Sequence, residues 1–254
     1  MIDQDTVAFY DAIAEYYPLF YKDWEVQLER EGLSLRAIFR NKGVKRVLDA
    51  SCGAGTQAVP LAKLGFDVVA VDPSLGMLRK AQSTATEHDV TGKILFQQAD
   101  FLRLPEVVQG PFDAVISKGN ALPHLLTDDE IERAVRIFYD LLRPGGILVL
   151  GMRDFGPFME MRPRFLPGFI HQDDDSEFIT FDIWEWEDGP PTIATQNLYI
   201  VTGTDNHYTT IKRHVMFRPL SVDEVQVVLL EAGFTDIKEQ PDRWEQVLVA
   251  HKPQ

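Results

Sequence analysis

The chain contains a single cysteine, Cys52, among 254 residues. No disulfide can therefore form within it, and this favours a reducing compartment such as the cytoplasm. We interpret Cys52 as a small packing residue rather than a catalytic thiol, because no residue that would activate a thiol lies near it in the sequence.

Basic residues and long apolar runs are also scarce. Lys and Arg total 25 against 39 Asp and Glu, a formal net charge of −14, and such a surface repels nucleic-acid phosphates and anionic lipids. No apolar run approaches the roughly 18 residues that span a bilayer, and residues 1–6 are polar and acidic, unlike a signal or transit peptide. We therefore expect a cytoplasmic monomer or homodimer with a small-molecule substrate, and neither nucleic acid nor a membrane as partner.

Strands and helices alternate through the middle of the chain. Apolar runs and helical periodicity predict strands at 46–49, 68–72, 94–98, 114–118 and 147–152, and helices near 56–64, 75–87 and 128–142. This alternation predicts a doubly wound α/β fold with a parallel sheet, whose ligands bind at the carboxyl ends of the strands.

The segments on either side have different patterns. Before the α/β region, apolar spacing predicts a helix that ends at Pro18 and a second helix over 24–40. After it, residues 155–170 are predicted to be a loop or broken helix, and alternating residues then predict a three-stranded antiparallel meander. Ser221 and Glu224 form a capping box that opens a last helix. The predicted parts are a helical lid (1–43), an α/β core (44–154), an inserted antiparallel β cap (155–219), and a helix and β-hairpin that complete the core (220–254).

Residues 47–57 are the most informative stretch. A short buried strand ends in the carboxylate of Asp49, and Gly53 and Gly55 then allow the backbone to turn sharply and approach a ligand. About twenty residues later a second strand ends in Asp72, where a carboxylate can accept hydrogen bonds from ribose hydroxyls. The pattern predicts a β-α-β unit that binds a nucleoside.

A nicotinamide dinucleotide is the first alternative for this nucleoside, because residues 53–58 match G-x-G-x-x-A and Asp72 suits its ribose. Asp49 argues against it, since a carboxylate beside the glycine loop repels a pyrophosphate and attracts a cation. Asp100 and Phe101 close the third strand, where they suit an adenine amino group and its ring. No group of residues typical of hydride transfer is visible.

Four motifs occur in an order that is typical of one family. They are Asp49-x-x-x-Gly53-x-Gly55, Val71-Asp72-Pro-Ser, Asp100-Phe101 and Arg143-Pro-Gly-Gly146. Together they resemble the class I S-adenosylmethionine-dependent methyltransferases, over residues 44–152. The resemblance implies a doubly wound, seven-stranded Rossmann-like sheet whose last strand is antiparallel. It also implies S-adenosyl-L-methionine as cofactor, S-adenosyl-L-homocysteine as its product, and no metal.

The resemblance also implies a set of residues that bind the cofactor. Asp49 and the loop from Ser51 to Gly55 would follow the methionine portion, and Asp72 would hold the ribose. Pro73 and Met77 would lie near the adenine, with Asp100 at its amino group and Phe101 against its ring. The complete expected set is Tyr17, Asp49, Ser51, Gly53, Gly55, Thr56, Gln57, Asp72, Pro73, Met77, Asp100, Phe101 and Lys118.

A narrower similarity concerns the methyl acceptor. Residues 118–125 resemble a segment of the glycine and glycine/sarcosine N-methyltransferases, and residues 152–155 resemble a second one, although Met152 replaces a histidine. This implies that Asn120 contacts the substrate and that Arg153 binds its carboxylate, for which a guanidinium is well suited. Tyr10 and His124 are the candidate catalytic residues.

The leading hypothesis is methylation of an amine that bears a carboxylate. Such a reaction depends mostly on positioning a neutral nucleophile with water excluded. An O-methyltransferase for a natural-product or quinone-like molecule is the alternative, because the Met- and Phe-rich segment 155–170 would suit an apolar pocket. The third hypothesis is a non-catalytic protein that binds S-adenosylmethionine.

Overall fold

The computed structural model describes residues 3–172, 176–204, 207–243 and 245–254. Within these ranges the strands form one seven-stranded and one four-stranded sheet. No helix in the described ranges combines the length and apolarity needed to cross a bilayer.

The seven-stranded sheet has the order β10-β11-β5-β4-β1-β2-β3. Its strands are β1 (Arg46–Asp49), β2 (Asp67–Asp72), β3 (Ile94–Gln98), β4 (Phe112–Ser117), β5 (Leu142–Met152), β10 (Thr235–Asp242) and β11 (Glu245–His251). The first five run parallel, whereas β11 is antiparallel to both β5 and β10. The predicted α/β fold, with an antiparallel last strand, is confirmed.

Helices cover both faces of this sheet and precede it. The α-helices are α1 (Gln4–Ile13), α2 (Trp24–Phe39), α3 (Ala58–Lys63), α4 (Leu75–Glu87), α5 (Leu104–Val107), α6 (Asp128–Leu141), α7 (Gly156–Met161) and α8 (Val222–Glu231). Short 3₁₀ helices lie at Ala14–Phe20, Thr91–Lys93, Phe101–Arg103 and Leu122–His124. The predicted capping box is present at α8, where the Ser221 hydroxyl and Glu224 carboxylate each accept the other residue's amide.

The two faces of the sheet bury separate apolar clusters. Successive side chains of β1 point to opposite faces, so Val47 packs in one cluster and Leu48 in the other. In β4, Ala114 and Val115 divide in the same way. Both faces are covered, and this explains why these strands read as continuous apolar runs.

The four-stranded sheet is antiparallel and consists of β6 (Phe165–Gln172), β7 (Glu177–Glu187), β8 (Ile193–Thr204) and β9 (His207–Phe217). We call it the cap sheet. The last three strands match the predicted meander, but the prediction of a loop or broken helix was wrong for β6. Pro167 and Gly168 interrupt its alternation, and the register shifts between Pro167 and Ile170. A third apolar cluster joins α1 to this sheet through Phe9, Ile13 and Trp184.

The lid helices also differ from the prediction near Pro18. The α-helix ends at Ile13, and a 3₁₀ helix that includes Pro18 continues to Phe20. The α1 helix is held close to α4, because Asp11 Oδ1 accepts hydrogen bonds from Ser74 Oγ (2.6 Å) and from the amide of Gly76 (2.7 Å). A Cβ at Gly76 would lie 2.9 Å from the Cα of Asp11, so only glycine permits this approach.

A buried ammonium joins the lid to the sheet. Lys118, just after β4, places its Nζ 2.6 Å from Glu31 Oε2 on α2 and 3.2 Å from Glu245 Oε2 on β11. Asp242 Oδ2 lies 3.6 Å away and also pairs with Arg30. Burial lowers the pKa of Lys118, but these carboxylates outweigh it and raise the pKa overall. We call these five residues the Lys118 ion cluster.

We expect Lys118→Met to destabilise the fold strongly. It would leave Glu31 and Glu245 buried without their cation, and breaking a buried pair in this way costs about 3–5 kcal/mol. Urea unfolding followed by tryptophan fluorescence would measure the loss. Lys93→Met, at an exposed position, is the control and should change stability by less than about 0.5 kcal/mol. Equal stability of the two variants would contradict the role of the cluster.

Candidate active site

A cavity lies where the strand order reverses, at the carboxyl ends of β1 to β4, which is where doubly wound sheets bind ligands. Its empty volume is about 680 Å³, including its open mouth. The predicted residues on its wall are Tyr10, Tyr17, Ser51, Gly53, Thr56, Gln57, Asp72, Pro73, Met77, Phe101, Lys118 and His124. We call it the strand-end cavity.

Cys52, inside the predicted Ser51–Gly55 loop, also lies on this wall, whereas sequence reasoning missed Thr6, Tyr21, Ala50, Gly119 and Ala121. Ala50, Gly119 and Ala121 lie beside residues of the quoted motifs, so a motif taken as a continuous loop would have included them. Tyr21 stands four residues after Tyr17 in an aromatic run, and that spacing was the available signal. Burial raises the pKa of Cys52 well above its usual value, which supports its interpretation as a packing residue.

Asp72 ties the glycine loop to the end of β2. The amide of Gly53 donates to its Oδ2 and the amide of Ser74 to its Oδ1, both at 2.9 Å. Gly53 has a φ of +51°, and a Cβ there would meet nothing within 4 Å, so the loop is open towards the ligand side. Burial raises the pKa of Asp72 to about 6 against the effect of these amides. Each carboxylate oxygen keeps a further lone pair for a hydroxyl donor.

Asp49 lies under the glycine loop, and it is not among the residues that line the cavity. Its Oδ1 accepts a long hydrogen bond from the amide of Ser51 (3.4 Å). Its Oδ2 is buried with no hydrogen-bond partner in the described part of the chain. Burial raises the pKa of Asp49 to about 7, and the charge of Asp72 adds to this. The geometry supports an electrostatic role beneath the ligand rather than direct contact.

Three other predicted residues are close by but not on this wall. Asp100 Oδ1 accepts the amides of Leu102 (3.0 Å) and Arg103 (3.1 Å), so it caps a 3₁₀ helix and positions Phe101. Gly55 has a φ of +91°, and a Cβ there would lie 2.9 Å from Val59 Cγ2, so it serves packing. Asn120 is the third. Contact of any of these residues with the cofactor or substrate stays a prediction.

Tyr10 and His124 form a hydrogen-bonded pair at the cavity, 2.8 Å between Tyr10 Oη and His124 Nε2. The other ring nitrogen, Nδ1, lies 3.1 Å from the carbonyl oxygen of Met216, which can only accept, so Nδ1 carries the proton. Burial lowers the pKa of His124 to about 4 and raises that of Tyr10. Both side chains are therefore neutral near pH 7, and Tyr10 donates to His124.

The described wall of the cavity offers no cation to a phosphate. The ammonium of Lys118 is engaged by carboxylates, and His124 is neutral. A pyrophosphate would meet the carboxylate of Asp72 on this wall, with that of Asp49 buried beneath the glycine loop. A sulfonium cation is favoured by the same charges and by the tyrosine rings. The residues present therefore fit S-adenosylmethionine and not a dinucleotide.

A second and larger cavity lies between the lid and the cap sheet and shares Tyr10, Tyr17 and Tyr21 with the first. We call it the lid–cap pocket. Arg153 lines it just after β5, with its guanidinium carbon 4.5 Å from the Phe158 ring centre. The amide of Arg153 donates to Asn120 Oδ1 at 3.0 Å. Asn120 thus positions Arg153, and it does so from a left-handed backbone conformation (φ +67°) that asparagine tolerates.

The comparisons with known proteins agree with this geometry. A family model described as a methyltransferase domain matches residues 47–146. A protein of Geobacillus sp. (strain WCH70), named "Putative methyltransferase GWCH70_2453", is 30% identical over 230 residues, covering 89% of this chain and 86% of that protein. The chain belongs to the class I S-adenosylmethionine-dependent methyltransferases.

The chain also resembles methyltransferases of known acceptor, both in sequence and in structure. The glycine/sarcosine N-methyltransferase of Aphanothece halophytica is 28% identical to this methyltransferase over 219 residues, 85% of this chain and 76% of that protein. That of Parasynechococcus marenigrum is 34% identical, but the match spans only 48% of its length. Among solved structures, the S-adenosylmethionine-bound amino pentose methyltransferase CalS10 of Micromonospora echinaspora has a TM-score of 0.73 at 19% identity, over 95% of this chain and 96% of that one. That likeness shows the shared fold.

No group of three or more His, Cys, Asp or Glu side chains in the described ranges is arranged to hold a metal ion. The expectation that this methyltransferase needs no metal stays a prediction.

We expect Asp72→Ala to weaken the binding of S-adenosylhomocysteine by about 100-fold or more, because two charge-assisted hydrogen bonds to the ribose are lost. Isothermal titration calorimetry would measure the affinity. Asp67→Ala is the matched control, since Asp67 lies at the other end of β2 with a side chain 72% exposed. Binding of NAD in place of S-adenosylhomocysteine would refute the cofactor assignment.

We expect Asp49→Asn to raise the melting temperature of the ligand-free protein by several degrees more at pH 8 than at pH 5. Folding raises the pKa of this carboxyl from its ordinary value of 3.8 to about 7. Its contribution to stability is therefore fully present at a pH below 3.8 and is lost as the pH rises through about 7. Asparagine mimics the neutral form at every pH. Calorimetry at both values would measure the difference, and exposed Asp67→Asn should show none. An equal shift at both pH values would count against a buried charge at Asp49.

Proposed function

We propose that this methyltransferase transfers the methyl group of S-adenosylmethionine to the amine of a small acceptor that bears a carboxylate. The observation that carries the proposal is Arg153, a largely buried guanidinium in the lid–cap pocket, beside the tyrosines shared with the strand-end cavity. A guanidinium offers a bidentate fork to a carboxylate. The likeness to glycine/sarcosine N-methyltransferases supports the same chemistry.

The proposed mechanism depends on orientation. When bound, S-adenosylmethionine supplies an electrophilic methyl group on a sulfonium. Arg153 holds the acceptor by its carboxylate, so that the amine lies near Tyr10 at the junction of the two cavities. Tyr10 donates its proton to His124, and its oxygen lone pairs remain available to accept an N–H of the amine. The pair is neutral, so it orients the amine rather than abstracting its proton.

The amine must arrive without its extra proton. A pocket lined by Phe9, Ile13, Phe20 and Leu198 lowers the pKa of an amine, since burial disfavours the charged form. Near-attack alignment of two held reactants then supplies most of the rate enhancement. The assignment therefore includes no general base.

An O-methyltransferase for a natural-product or quinone-like acceptor is the second candidate. It is favoured by the aromatic lining and by the size of the lid–cap pocket, about 1,790 Å³ of empty volume with its mouth. A radiolabelled methyl-transfer screen over amino acids, amines and phenols would separate the two candidates. Binding of S-adenosylhomocysteine without transfer to any acceptor would favour the non-catalytic reading.

We expect Arg153→Ala to raise the KM for a carboxylate-bearing amine at least tenfold, because a charge-assisted hydrogen bond contributes about 1.5–3 kcal/mol. The affinity for S-adenosylhomocysteine should stay within about twofold. Steady-state kinetics and calorimetry would measure the two effects. Arg162→Ala is the control, since Arg162 is exposed on the cap and pairs with Asp188. Unchanged kinetics in Arg153→Ala would refute the carboxylate site.

A further inference from the structure

A carboxylate in the lid–cap pocket has no part in the proposed mechanism. Asp182, on β7, lines the same pocket as Arg153, together with Gln196 from the neighbouring strand β8. The Gln196 side chain lies close enough to the carboxyl group of Asp182 to lower its pKa. The Asp182 Oδ1 atom is buried and has no hydrogen-bond partner among the described residues.

The backbone pairing of the cap sheet does not depend on this carboxylate. β7 pairs with β8 through its backbone along its whole length, and Asp182 is opposite Leu198 in that register. A buried carboxylate oxygen without a partner costs stability, and an apolar residue of similar size would remove the cost. Burial accordingly raises the pKa of Asp182, while Gln196 and the charge of Arg153 lower it. An acid at this position therefore points to a ligand.

The charges and the size of the pocket describe that ligand. Arg153 and Asp182 place a positive and a negative group on the wall of the same pocket. This suits an acceptor with two separate polar ends. The empty volume, about 1,790 Å³ with the mouth, leaves room for an acceptor larger than glycine. Glycine would fill a small part of it and would leave Asp182 Oδ1 without a hydrogen-bond partner.

We propose that Asp182, supported by Gln196, binds a second hydrogen-bond donor of the acceptor, a hydroxyl or ammonium group distinct from the reacting amine. The inference rests on the proposed function, because it takes the carboxylate of the acceptor to be bound by Arg153. The acceptor class is then a hydroxylated or diamino carboxylate larger than glycine. Asp182 is a specificity residue in this scheme, and the reacting nitrogen is oriented elsewhere.

Pairs of amino acids with the same shape test the inference. Serine is compared with 2-aminobutyrate, and homoserine and 2,4-diaminobutyrate are each compared with norvaline, in methyl-transfer assays with the whole chain described above. We expect kcat/KM to be at least tenfold higher for the member of each pair that carries the second donor. The homoserine and diaminobutyrate arms show whether a hydroxyl or an ammonium is preferred.

Asp182→Asn should reduce these ratios to within about threefold, because it should lower kcat/KM for the donor-bearing amino acids more than for glycine. Glu185→Gln is the matched control, because Glu185 is exposed on the opposite face of β7, and it should keep the wild-type ratios. The melting temperature of Asp182→Asn should be equal to or above that of the wild type, since a buried charge is removed. A role limited to pairing with Arg153 would instead lower it and would weaken all substrates equally.

The possible failures are distinguishable. If the amino acids are methylated with dependence on Arg153 but the members of each pair react equally, the second site is refuted and the proposed function stands. If Asp182→Asn lowers the rate for glycine as much as for homoserine, the second site is also refuted. If no amino acid is methylated and Arg153→Ala does not change the kinetics with any acceptor, the proposed function is refuted. The second site is then refuted with it.

Discussion

The buried ammonium of Lys118 is the interaction on which the two cavities depend. It brings together α2 of the lid, the end of β4 and the last hairpin through Glu31 and Glu245. Glu245 also accepts the amide of Gly119 at 2.7 Å, which shapes the loop that contains Asn120 and so sets the position of Arg153. Glu31 accepts a hydrogen bond from Gln57 at 3.2 Å on the cofactor side. The ammonium of Lys118 thus helps to fix the relative positions of residues at both cavities.

The electrostatics of the two cavities are complementary. The strand-end cavity has carboxylates and tyrosines but no available cation on its described wall, so it favours a positively charged ligand and disfavours phosphates. The lid–cap pocket is lined by Lys22, Arg153 and Arg243 and by Asp23 and Asp182, so it offers charges of both signs with a small positive excess. The tyrosines shared by both separate these two environments. A cationic cofactor and a polar acceptor are therefore directed to different cavities that meet at Tyr10.

Much of the fold could be predicted from local patterns. The strands β1 and β3 and the helix α4 begin and end where periodicity and turn residues indicated, and the two aspartates at the ends of β1 and β2 followed from their spacing. Local patterns could not predict β6, because Pro167 and Gly168 hide its alternation. Nor could they pair Tyr10 with His124 across 114 positions or Lys118 with Glu31 across 87, since such contacts depend on the tertiary fold. The Asp182 carboxylate was missed for the same reason, because only the cap sheet brings it to the pocket of Arg153.

The setting of Arg153 has a consequence for the thermodynamics of substrate binding. Its guanidinium lies against the rings of Phe158 and Trp184, at 4.5 and 5.8 Å, and its backbone is tied to Asn120. A free arginine loses about 2 kcal/mol of rotamer entropy when it is immobilised. Here folding has already imposed most of that cost, so a carboxylate meets a preorganised partner. Such a site can bind a small carboxylate without a large favourable enthalpy, because little conformational entropy remains to be lost on binding.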